Sequence, residues 1–138
     1  MRTLATVGAA ALVFALLGAP PAVAAPAIPL NGGQEAAAGD IDGHGFFTYT
    51  LEGTTFCYTL EWQGLDTAVA AHVHRAPRNV AGSVVIPLSV GDGSGTRVSN
   101  CVQISAALAA DVTADPKAFY VNVHNPAFPA GAIRGQLK

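Results

Sequence analysis

The sequence predicts an all-β domain, folded as a sandwich or a small barrel. Short runs rich in Val, Ile, Thr, Tyr and Phe recur between clusters of Gly, Asp, Asn and Pro at the spacing of such folds. Apolar and polar residues alternate within them, as in Phe119-Tyr120-Val121-Asn122-Val123-His124. The one helical candidate is Ser105 to Ala110, with Ala106, Ala107, Leu108 and Ala109 as good formers.

In chain order, strands are expected at Ile28 to Leu30, His44 to Glu52, Thr54 to Trp62, Ala68 to His74, Ser83 to Leu88, Arg97 to Ile104, Ala118 to His124 and Ala132 to Leu137. Gly53-Thr54 is placed to make a tight hairpin between the second and third. A short helix is expected over Ser105 to Ala110, with Pro116 stopping anything that forms there. Asn31-Gly32-Gly33, Gly39 to Gly43 and Gly91 to Gly95 carry turn chemistry. Neither aspartate-bearing loop has the spaced acidic ligands and terminal Glu of an EF-hand.

Ahead of these strands, residues 1–25 read as a Sec signal peptide. Arg2 supplies a positive start, Leu4 to Leu17 is almost wholly apolar, and Ala22-Val23-Ala24 is a small-residue cleavage site. The apolar run is too short and wrongly flanked for a spanning helix. Cleavage after Ala24 or Ala25 leaves a single domain over 26–138, secreted or extracytoplasmic. The positive mean hydropathy of the whole chain owes part of its value to this leader.

Without Arg2, six Lys and Arg face nine Asp and Glu, a net charge near −3. No basic stripe is present to neutralise phosphates, which argues against nucleic acid and against an anionic membrane surface. Oligomeric state is not legible. Cys57 and Cys101 are the only cysteines, each inside a strand-like run. An isolated pair in an exported chain is most simply a disulfide; a copper or zinc thiolate site is the alternative.

Histidine is scarce, and its placement is the strongest functional signal. His72 and His74 end one strand-like run and His124 ends another. Side chains alternate along a strand, so His72 and His74 share one face while Ala71 and Val73 take the other. In the later run Tyr120, Asn122 and His124 share a face, opposite Phe119, Val121 and Val123. If the two strands are neighbours, His124 supplies a third nitrogen. His44, between Gly43 and Gly45, is the candidate fourth ligand. Imidazoles without thiolates suit copper first, with zinc as the alternative. The competing reading makes these histidines structural, facing water or capping loop carbonyls.

Ala70 to Pro77, Gly82 to Leu88, Phe119 to Pro126 and Gly131 to Leu137, in that order, resemble the CHRD domain, a family named for the developmental regulator chordin. The resemblance covers most of the chain from about Ile28 to Lys138. It implies an extracytoplasmic Greek-key, immunoglobulin-like β-sandwich or barrel, and the family's His-x-His and Asn-Val-His map onto His72, His74 and His124. In chordin these domains belong to a protein that binds other proteins, which implies an extracellular protein partner as an alternative role. Ala132 stands where the family usually has an acidic residue, and His44 and the cysteine pair have no place in its pattern. A fainter similarity is to copper/zinc superoxide dismutase, although four histidines are too few for a two-metal site.

Arg134 is the other polar residue of note, expected either to pair with Glu35, Glu52 or Glu61 or to hydrogen-bond loop carbonyls through its planar fork. Asp66, Asp111 and Asp115 are expected to cap turns or helix starts. Trp62 and Tyr58 are expected in the core or on a sheet face. There is no Gly-x-Ser-x-Gly elbow, His-Glu-x-x-His or phosphate loop, so no catalytic residue is assigned. The leading expectation is an exported protein that binds copper through His72, His74 and His124, with His44 in addition, for storage, delivery or redox handling. An interaction module ranks second. Enzymatic activity is left open, and its form would be a small copper-only oxidoreductase.

Overall fold

The computed structural model describes residues 26–138; the expected signal peptide lies outside them. Eight antiparallel strands form one sheet: β1 (Ile28–Asn31), β2 (His44–Glu52), β3 (Thr55–Gln63), β4 (Ala70–Arg75), β5 (Ser83–Leu88), β6 (Arg97–Gln103), β7 (Phe119–His124) and β8 (Ile133–Gln136). Their order across the sheet is β5-β4-β7-β8-β1-β2-β3-β6. One helix, α1 (Ala106–Ala114), carries the chain from β6 back to β7.

The sheet curls until its ends nearly meet. Tyr58 on β3 accepts a hydrogen bond from the Ser89 amide just after β5, at 2.7 Å. Read round the curl, β3-β6-β5-β4 follows Greek-key order, with the ladder interrupted between β6 and β5. The all-β expectation is therefore met, in the form of a nearly closed barrel.

Alternation fills the interior. Phe47, Phe56, Leu60, Val73, Val121 and Ile133 are wholly buried. Each large side chain removed from water in this way contributes about 1.5–3 kcal/mol. Trp62 and Tyr58 also lie in the core, as expected. Gly53 takes a positive φ of 59° in the two-residue turn that sets Glu52 opposite Thr55. Cys57 and Cys101 face each other across β3 and β6 and are disulfide-bonded, their Cα atoms 4.0 Å apart.

The helix is longer than the sequence suggests. Ser105 caps it, its Oγ accepting from the Leu108 amide at 3.1 Å. Asp111, Val112 and Thr113 are weak helix formers, yet Ala109 and Val112 fall on one face and are buried. Burial of that face extends the helix past Ala110. Asp111, expected to cap, instead lies inside α1 and pairs with Arg75.

Outside the barrel, β4, β7 and β8 carry a second, polar layer. His72, Asn122 and Arg134 lie in one cross-strand row, and His74, Tyr120 and Gln136 in the next. Asn122 and Arg134 are each 1% exposed, so loops close over this face. Arg134 donates to the carbonyls of Val80 and Pro77, both at 2.8 Å, and Gln136 donates to Ala76 O at 2.8 Å. Those bonds pin the loop 76–82 to β8.

Candidate metal centre

β4 and β7 are neighbours, and their register assembles the histidines. His72 faces Asn122, His74 faces Tyr120, and Ala70 faces His124. The alanine methyl leaves room for the His124 ring to lean diagonally toward His72, the direction in which long side chains on adjacent strands meet. The His72 and His124 rings lie 5.0 Å apart and those of His72 and His74 5.5 Å. One nitrogen from each ring falls within 4.8 Å of the others.

Which nitrogens converge is set by the partners of the rest. His74 Nδ1 lies 2.8 Å from Gly82 O, and His124 Nδ1 lies 3.1 Å from Pro129 O. A carbonyl only accepts, so each Nδ1 carries the proton and each Nε2 is left with its lone pair. The Nε2 of His74 is buried and has no partner. His72 presents Nδ1, 3.1 Å from His124 Nε2. By the same rule His72 Nδ1 donates to His124 Nε2 in the metal-free protein; with that proton moved to His72 Nε2, the nitrogens offered to an ion are His72 Nδ1, His74 Nε2 and His124 Nε2.

Electrostatics keep two of these rings neutral. Burial lowers the pKa of His72, and His124 and His74 lower it further. Burial also lowers that of His124, with His74 acting the same way and the bond to Pro129 opposing. Neutral imidazole is the ligating form.

The surrounding groups form a connected support. The Tyr120 ring stacks on His74 at 4.7 Å, nearly parallel, and its hydroxyl accepts from the Gly82 amide at 3.2 Å. Gly82 therefore links Tyr120 to the carbonyl that orients His74. The Arg134 guanidinium lies 3.3 Å over the other face of this cluster, on the Tyr120 ring. Of its expected partners, Glu35 is the carboxylate whose charge bears on Arg134, but its hydrogen bonds go to loop carbonyls. Glu61 instead pairs with Arg97, at 2.9 Å. Glu35 itself is pushed up to about 7 by burial, against the opposing effects of Arg134 and Asn122.

His44 does not join the cluster. It is exposed at the start of β2, its Nδ1 3.1 Å from Asp42 O. Its cross-strand row runs through Asn31, Arg134 and Asn122 before reaching His72. Four strand spacings, about 19 Å along the sheet, separate the two. The turn aspartates are occupied locally: Asp40 accepts from the Asp42 and Gly43 amides, and Asp92 from Ser94.

Sequence reasoning missed Tyr120, Gly82 and Pro129 as supports of the histidines. Alternation already put Tyr120 on the face of His124, which was the available signal. Gly82 and Pro129 act through backbone carbonyls, which leave no trace in residue type. No curated protein and no solved structure matches the chain. The family model of the CHRD domain matches residues 27–137, and it spans every strand and all three clustered histidines, so the chain belongs to the CHRD domain family.

Proposed function

We propose that this protein is exported and binds a single metal ion, copper in preference to zinc, through His72, His74 and His124. The observation that carries the reading is the buried, unpartnered Nε2 of His74, aimed into a cluster of three imidazole nitrogens. A buried polar atom with no partner costs about 1–3 kcal/mol, which an ion at this point would relieve. Backbone carbonyls fix the tautomers of His74 and His124, the usual way in which surrounding groups orient histidine ligands. Nitrogen ligands without thiolates favour copper among the common divalent ions.

The disulfide fits an extracytoplasmic protein. Three nitrogens leave room for a further ligand, so storage, delivery and redox handling all remain compatible with the site. Titration of the metal-free protein with Cu(II) and Zn(II) tests the reading. One ion per chain, tighter for copper and lost in His72→Ala/His74→Ala, is the expected result. Unchanged binding in that variant overturns the site, and no stoichiometric binding makes the histidines structural and favours the interaction-module reading. Superoxide turnover by the copper form would move the function to an oxidoreductase.

A further inference from the structure

The cations of this acidic chain are not scattered. Among the described residues Arg75 pairs with Asp111, Arg97 pairs with Glu61, and Arg134 is buried against loop carbonyls. The remaining three, Arg78, Lys117 and Lys138, line one cavity of about 570 Å³ beside β1 and the end of β8. No Asp or Glu side chain lines it, and Pro29, exposed between the buried Ile28 and Leu30, supplies its apolar surface.

The cavity's basic segments are held in place. Gln136, on the outer face of β8, donates to Ala76 O at 2.8 Å and to Lys117 O at 2.7 Å. Arg134, two residues earlier on the same face, holds Pro77 O and Val80 O on either side of Arg78. Asn79 takes a positive φ of 61° in that turn, stabilised by the Val80 amide donating to Pro77 O. Two side chains of one strand thus fix both loops from which Arg78 and Lys117 project. The backbone oxygen of Lys138 is taken by Tyr49 Oη, at 3.0 Å.

Arg78 and Lys117 line one cavity with no Asp or Glu side chain to offset them, which raises the free energy of the unliganded state, and an anion relieves that repulsion. A concave, partly apolar site with a few convergent polar groups is the usual form of a small-molecule pocket. We propose that this cavity binds an organic anion, a phosphate or carboxylate group held by Arg78, Lys117 and Lys138, with an apolar body against the exposed Pro29. The site is separate from the histidine cluster and stands whether or not that cluster holds a metal.

Titration of the metal-free protein with phenyl phosphate, followed by amide NMR shifts, tests it. Saturable shifts centred on residues 28–31, 78, 117 and 136–138 are expected, weakened by raising the salt. Arg78→Ala/Lys117→Ala, at two exposed positions, is expected to weaken binding about tenfold or more, while Arg97→Ala leaves it unchanged. No saturable shift, or binding retained by the double variant, overturns the proposal. Equal affinity for inorganic phosphate overturns the apolar half of it, and equal affinity for benzyl alcohol overturns the anionic half.

Discussion

Replacing Arg134 with methionine keeps most of the buried volume and removes the fork that holds the loop 76–82. The side chain is 1% exposed and donates to two carbonyls at 2.8 Å. Hydrogen bonds from a charged donor are worth about 1.5–3 kcal/mol each, and the stacking over Tyr120 adds about 0.5–2 kcal/mol. Pro77 and Val80 are exposed, so water can reach their carbonyls once the arginine is gone. The net loss should therefore sit near the low end, about 3–4 kcal/mol, against a total of about 5–15 for a domain of this size. Urea unfolding followed by fluorescence of Trp62, which is buried, reads this directly. Arg134→Lys keeps the charge but loses the fork, and should recover about half the loss. Exchange protection of the Gly82 amide should fall in parallel, since that amide belongs to the loop released. A loss below about 1 kcal/mol for the methionine variant, or a lysine variant as stable as the parent, would refute this account of the polar layer.

Other consequences concern charge and cross-linking. Glu35 has a folded pKa of about 7 against an ordinary 4.5, so between those values the folded state holds a proton that the unfolded chain has released. Its stability contribution falls as pH rises through that window, and Glu35→Gln should gain about 1–2 kcal/mol on the parent between pH 4.5 and pH 8 after allowance for solvent screening; an equal pH dependence in both proteins would contradict it. His72 and His124 titrate below 6.5 in the folded state, so the unfolded chain takes up protons first and the metal-free protein should lose stability as pH falls below 6.5. Copper affinity should fall in the same acid range, and a titration series from pH 8 to pH 5 reads it as weakening binding. The disulfide closes a sequence separation of 44, and Cys57→Ala/Cys101→Ala should cost about 4 kcal/mol on the chain-entropy model, measured by denaturant midpoint.

Alternation made much of this molecule legible in advance. It placed His72 and His74 on one face and His124 with Tyr120 and Asn122 on another, and it needed only the pairing of β4 with β7 to bring the three together. The strands at His44–Glu52 and Ser83–Leu88 fall where their β-formers and turn residues put them. The helix end was misplaced because propensity disfavours Val112, whereas burial against the barrel decides its conformation. His44 stands apart from the cluster for a related reason: scarcity groups histidines by type, and only sheet order shows that three strands lie between β2 and β4. The polar layer was the least visible part, because its arginine and glutamine act on backbone carbonyls of distant loops.

A crystal of the protein soaked in Cu(II), with anomalous diffraction at the copper edge, tests the central claim most directly. The account predicts one strong peak per chain, about 2.0–2.2 Å from His72 Nδ1, His74 Nε2 and His124 Nε2, and none at His44. A peak at His44 or elsewhere on the surface, with the three clustered rings left without an ion, would contradict it.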